Sequence, residues 1–145
     1  MLVREAKREE LEAIAALEEQ NFSDAWSLRA LEETYGQKQA SVLVALTKLG
    51  VAGYCIVYTV LDESEIARIA TDQAQRRMGV GSALIQYLIE KARRTMGSRI
   101  LLDVRESNLP ARAFYETQGF LEDGIRRNYY DTPREDAVLM SYRVL

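Results

Sequence analysis

The sequence predicts a single mixed α/β domain with about seven strands and about four helices. Three observations carry that expectation. The chain has 145 residues, the length of one ordinary domain. Its middle is a succession of β-branched and apolar runs, and a strongly amphipathic helix pattern over 79–96 stands between two strand patterns. A composition of 48% hydrophobic and 28% charged residues suits a soluble globule that closes one core without a disulfide or metal staple.

Leu2 to Ala6 reads as a short opening strand. From Arg8 to Gln20, Leu11, Ile14, Ala15, Leu17 and Glu18 fall on one helical face, with acids on the other. The turn-forming stretch Asn21 to Trp26 ends that helix, and Ser27 suits the N-cap of a second helix through Tyr35. Ser41 to Thr47 and Val51 to Leu61 read as strands joined by a turn at Lys48-Leu49-Gly50, and Ser64 to Thr71 as a third. In the long helix, Val80, Ala83, Leu84, Tyr87, Leu88 and Ala92 recur at three and four, and Gly97 ends it. Arg99 to Arg105 is an apolar strand, followed by a loop over Glu106 to Pro110 and a helix to Gln118. Gly119-Phe120 leads into a further strand, and Ala137 to Val144 forms the last. No linker or repeat interrupts this order.

The counts exclude several function classes. A net charge of −3 argues against general nucleic-acid binding, which needs a basic footprint. There is no histidine, which removes Ser-His-Asp and Cys-His nucleophiles and nearly every zinc or non-haem iron site, so no metal is expected. The one cysteine, Cys55, lies in an apolar strand run and reads as core; it allows neither a disulfide nor a Cys-x-x-Cys site. With no long apolar run and no signal-peptide pattern at Met1 to Lys7, the expected location is cytoplasmic, without membrane contact.

The most informative stretch is Arg76-Arg77-Met78-Gly79-Val80-Gly81-Ser82, between a strand and the long helix. Glycines there let backbone approach a ligand, and the first helical turn offers unpaired N–H groups and a positive dipole end, which suit a phosphate or pyrophosphate. The competing reading is a tight strand-to-helix turn with solvated arginines. A nucleoside-triphosphate P-loop is excluded, because no Gly-x-x-x-x-Gly-Lys-Ser/Thr occurs. A dinucleotide site stays open as an alternative, although its third glycine position is Leu84 and Asp103 sits inside a strand.

Arg76-x-x-Gly79-x-Gly81 resembles the acetyl-CoA signature of the GNAT acetyltransferases. The resemblance extends through Val104-Arg105-Glu106-Ser107-Asn108, Ala111 to Glu116, Gly119-Phe120, Arg127-Asn128-Tyr129-Tyr130 and Glu135 to Met140. This ordered series is similar to the RimI-type branch, alanine N-acetyltransferases of a small-subunit ribosomal protein, and it covers essentially the whole chain. Phe22 to Ser27 is similar too, with Ala25 where proline is usual. The resemblance implies a splayed sheet holding acetyl-CoA between the strands of Ile69 to Thr71 and Arg99 to Arg105. Backbone groups of Ile69, Ala70 and Thr71 would bind the acyl and pantetheine portion. Arg76, Arg77, Met78, Gly79, Val80, Gly81 and Ser82 would form the pyrophosphate loop, and Asn108 would contact the pantetheine arm.

Acetyl transfer needs a neutral amine and a protonated leaving thiolate. An α-amine, with a pKa near 7.7–8.0, is already roughly one-tenth neutral at pH 7, whereas a lysine amine near 10.4 needs about 3.5 kcal/mol more. A site without histidine therefore favours a protein N-terminus. Asp103, where the family has glutamate, is the candidate base, one methylene short and so acting through an ordered water after burial raises its pKa. Its alternative is to satisfy Arg105 or neighbouring amides. Tyr115, at the family's spacing from Asn108, is the candidate acid; Phe114, Tyr115 and Phe120 otherwise read as core aromatics. Tyr129 and Tyr130, in a polar segment before the last strand, either line a peptide groove or cap the sheet, and the resemblance tips Tyr130 toward substrate. Trp26, on the loop between the first two helices, is a weaker candidate for the opposite wall, and plain packing is the favoured reading. The resulting expectation is direct transfer in a ternary complex to the N-terminal alanine of a ribosomal protein. The alternatives are a small-molecule or lysine acceptor and a CoA-binding module without catalysis. Oligomeric state is left open.

Overall fold

The computed structural model of the chain describes residues 1–145. Its strands are β1 (Leu2–Glu5), β2 (Ala40–Thr47), β3 (Gly50–Val60), β4 (Glu63–Thr71), β5 (Arg99–Arg105), β6 (Leu121–Asp131) and β7 (Arg134–Arg143). They form one sheet in the order β1-β2-β3-β4-β5-β7-β6, antiparallel throughout except between β4 and β5. The helices are α1 (Leu11–Asn21), α2 (Leu28–Tyr35), α3 (Val80–Arg94) and α4 (Leu109–Thr117). The predicted element order is the observed one.

Because side chains alternate along a strand, β2 and β3 feed two cores at once, which is why their sequences are continuously apolar. Leu43, Cys55 and Val57 pack with Leu84, Ile85, Leu88 and Ile89 of α3 on one face. Val42, Val44, Tyr54 and Ile56 pack with Leu11, Ile14 and Leu17 of α1 and Leu31 of α2 on the other. Ser27 caps α2 as expected, its Oγ accepting the Ala30 N–H at 3.1 Å.

The parallel pair is short. It runs from Glu63↔Arg99 to Glu65↔Leu101 and then stops. Just beyond, Ala67 is an extra residue in β4, since Ile56 pairs with Arg68 and Val57 with Ile66. Such a bulge bends its strand. From Ile66 onward β4 is hydrogen-bonded only to β3, and β5 from Leu102 onward only to β7. The sheet is splayed along this seam.

Two local expectations are corrected. β7 starts at Arg134 rather than Ala137, and Tyr129 and Tyr130 lie inside β6, because the hairpin continues to Asp131↔Arg134. At the end of α3, Met96 rather than Gly97 takes the left-handed conformation, with φ 61°. Gly97 is needed for close approach instead: its N–H reaches the Ala92 carbonyl at 2.7 Å, and a Cβ would stand 3.2 Å from that oxygen.

Candidate active site

The loop entering α3 is built to leave its amides free. Arg77 and Gly79 both have positive φ, 67° and 79°, and Gly79 is the N-cap of α3. Only glycine holds that left-handed geometry without strain, so Arg77 carries a local cost of the kind found at binding loops. No backbone N–H from Arg77 through Ser82 donates to a backbone carbonyl; the first helical bond is Ala83 to Gly79, at 3.0 Å. These donors lie at the positive end of a helix, beside exposed Arg76 and Arg77, neither of which has an ion-pair partner. The arrangement fits a pyrophosphate. Gly81 serves a second purpose, since its Cβ would stand 3.1 Å from the ring of Phe114 on α4. Phe114 therefore presses α4 against the loop, and Gln118 donates to Ser82 Oγ at 3.0 Å.

α4 brings Tyr115 to the seam. Asn108 caps that helix, its Oδ1 accepting the Ala111 N–H at 3.2 Å, and its amide N–H groups make no hydrogen bond within the protein. Tyr115 is 8% exposed, held edge-on between Phe114 and Phe120 at centroid distances of 5.2 and 5.6 Å. Burial raises its phenol pKa, and the neighbouring Cys55 and Tyr130 add to the shift. The hydroxyl makes no hydrogen bond within the protein, yet no buried side-chain oxygen lacks a partner, so it opens to solvent. It is a protonated donor aimed out of a dry wall.

On the other face of the sheet, half-buried Asp103 looks toward Tyr129 and Tyr130. Its charge is the main cause of the raised Tyr129 phenol; Tyr130 is pushed up to about 12, by burial first and Asp103 second. The two rings meet edge to face at 5.0 Å. Arg105 does not pair with Asp103. It donates to Glu135 at 3.1 Å and to the Pro133 carbonyl at 2.9 Å, with its guanidinium 4.3 Å from the Tyr130 ring centre. Glu135 also accepts the Ser107 N–H at 2.6 Å, and Asp136 accepts that of Asn128 at 2.8 Å, so both hairpin acids are committed internally.

Trp26 stands on the α1–α2 loop beside a shallow groove of about 430 Å³ lined with Ala25, Ser27 and Ala30. What holds it is absent from the sequence expectations. Glu18, fully buried, accepts the Trp26 N–H at 2.9 Å, the Tyr54 hydroxyl, and the Arg68 guanidinium at 2.6 Å. The signal was visible as an acid in the apolar stripe of α1, but its two side-chain partners, Tyr54 and Arg68, lie 36 and 50 positions away.

Residues 11–120 match the acetyltransferase (GNAT) family model. The chain belongs to that family. The acetyltransferase is 36% identical to the [ribosomal protein bS18]-alanine N-acetyltransferase of Escherichia coli strain K12, over 91% of this chain and 90% of that protein. It is 34% identical to the protein of the same name from Haemophilus influenzae, over 91% of each chain. In three dimensions it is similar to a crystal structure of the ribosomal-protein-S18-alanine N-acetyltransferase from Escherichia coli, with TM-score 0.90 and 30% identity over 99% of this chain and 93% of the other. Ard1 from Thermoplasma volcanium also superimposes with TM-score 0.90, at 26% identity over 99% of this chain and 97% of that one. Members of the family use acetyl-CoA, and the free-amide loop and the open strand edges of this acetyltransferase fit it. No helix is long and apolar enough to cross a membrane.

Proposed function

We propose that the acetyltransferase moves acetyl from acetyl-CoA to the free α-amine of a protein N-terminus, with a small-subunit ribosomal protein beginning in alanine as acceptor. The observation that carries this reading is the seam itself. Between the unpaired halves of β4 and β5, an anion-binding loop and Tyr115 lie on the α3–α4 face. Asp103, Tyr129 and Tyr130 stand together on the other face of the sheet, the face against which Trp26 also packs. An extended peptide end fits such an open groove better than a small enclosed substrate. The alanine and ribosomal acceptor rest on the names of the two bacterial relatives.

In this reading the amides of Arg77 to Ser82, aided by Arg76 and Arg77, hold the pyrophosphate. Backbone groups of Ile69, Ala70 and Thr71 and the Asn108 amide hold the pantetheine arm. The cosubstrate supplies the activated acyl group. Asp103, through a water, takes the proton that the acceptor nitrogen loses as its new N–C bond forms. Tyr115 gives its proton to the sulfur as the C–S bond breaks. Tyr129 and Tyr130 orient the peptide backbone opposite Trp26. Cys55 is fully buried and its thiol is pushed up to about 12 by that burial, which disfavours a thiolate nucleophile and supports direct transfer in a ternary complex.

The deciding experiment presents two peptides, one with a free N-terminal alanine and one with a blocked N-terminus and an internal lysine, and follows mass gain and free CoA. Acetylation of the first alone is expected; modification of the lysine peptide alone would overturn the α-amine assignment. Asp103→Asn is expected to lower turnover about tenfold at pH 7 with acetyl-CoA affinity intact. The deficit should shrink as pH passes the acceptor's own pKa near 8, where the amine no longer needs a base. A pH-independent ratio near unity would remove Asp103 from the role.

A further inference from the structure

Beyond the short parallel pairing, each of the two splayed strands carries one arginine to the acceptor side, and neither is a free charge. Arg105 of β5 is tied to Glu135 and lies on Tyr130. Arg68 of β4, next to the Ala67 bulge, is tied to buried Glu18: Nη2 donates to Oε1 at 2.6 Å, and Nε reaches both oxygens at 3.2 Å. Its guanidinium carbon is 4.0 Å from the ring centre of Phe22 and 5.4 Å from that of Trp26. Glu18 also takes the Trp26 backbone N–H, so one carboxylate fixes the arginine and the loop together.

We propose that Arg68 is a positioning residue for the acceptor. It locks the α1–α2 loop, and with it the Trp26 wall, at a set distance from the Tyr129–Tyr130 wall that Arg105 holds from the opposite strand. This rests on the reading of the groove as the acceptor site. The loop from Phe22 to Ser27 has no regular secondary structure to hold it. A planar guanidinium can fork to a carboxylate while its face lies against aromatic rings. Because Arg68 immediately precedes Ile69 to Thr71 on β4, the strand edge that faces the donor also sets where the acceptor wall stands. The donor edge and the acceptor wall are thereby built on one strand, so the wall is preset to receive the peptide before it binds.

Arg68→Lys is the direct test. It leaves a cation against Glu18, so the fold is retained, but a compact ammonium cannot fork to the carboxylate and stack on the rings. The KM for the alanine peptide is expected to rise about tenfold, with kcat and acetyl-CoA affinity changing less than about twofold. Trp26 is the one tryptophan of the chain, so acrylamide quenching of its fluorescence reads the loop without reference to activity, and it should increase in the variant. Glu18→Gln, which keeps an oxygen for the Trp26 N–H and weakens the fork, should move both readouts the same way by smaller factors. An unchanged peptide KM, or unchanged Trp26 quenching, in folded Arg68→Lys overturns the proposal. If the unsubstituted protein acetylates no α-amine peptide, the acceptor reading fails instead. Quenching then decides the clamp alone, an increase supporting it and no change overturning it.

Discussion

Tyr115→Phe is expected to lower kcat about a hundredfold while leaving the Kd for acetyl-CoA within about twofold, as befits the loss of one positioned proton donor. The ring is packed between Phe114 and Phe120, so removing only the hydroxyl keeps the wall of the seam in place. That hydroxyl makes no hydrogen bond within the protein, so its loss orphans no partner, and stability should barely change. Burial holds the phenol above its ordinary value, and so it stays protonated through neutral and mildly alkaline pH. The wild-type rate should therefore rise as the acceptor amine deprotonates, near pH 8, without a falling limb from Tyr115 below about pH 9. Single-turnover measurements from about pH 6 to 9 check both statements. Full activity in the variant would sink the assignment.

Glu18→Ala is expected to cost about 3–5 kcal/mol of folding stability, the usual consequence of removing one partner from a buried ion pair. Glu18 is fully buried and the Arg68 side chain only 12% exposed, so the guanidinium would be left without its close counter-charge. Asp24, 3.6 Å from Arg68 but largely exposed, compensates weakly and places the expected loss toward the lower end of that range. The Tyr54 hydroxyl and the Trp26 N–H lose their acceptor as well. Urea unfolding at constant m-value measures the loss, and a melting temperature lower by on the order of 10 °C accompanies it. The control is Glu18→Leu combined with Arg68→Met, which removes both charges and should be far less damaging than Glu18→Ala alone. A loss under about 1 kcal/mol in Glu18→Ala would mean the network contributes little to the fold.

The elements most legible in the sequence are those governed by short-range rules. The 3.6-residue stripe of α3, the Ser27 cap and the β-branched runs of β2 and β3 are decided within a few residues of themselves, and they appear where expected. The loop of free amides was legible for the same reason: two glycines at a strand-to-helix turn leave the N–H groups at the helix end without backbone partners. The ends of the last hairpin were not legible, because the residues about its turn are polar and the pairing of β6 with β7 extends past the last apolar alternation.

By itself the sequence determined the element order, the single domain, the absence of histidine chemistry and the glycine turn that leaves free amides at the start of α3, all properties of neighbours along the chain. The tertiary structure decided three things that depend on distant partners. The Ala67 bulge ends the β4–β5 pairing after Glu65 and opens the seam. A bulge across Arg127 to Tyr129, with Asn128 at φ 53°, brings two consecutive tyrosines together that regular strand alternation would send to opposite faces. Glu18, Arg68 and Trp26 meet because α1, β4 and the loop between the first two helices pack on one face of the sheet. In each case a local rule was overridden by what the chain packs against, and no periodicity within one segment records that.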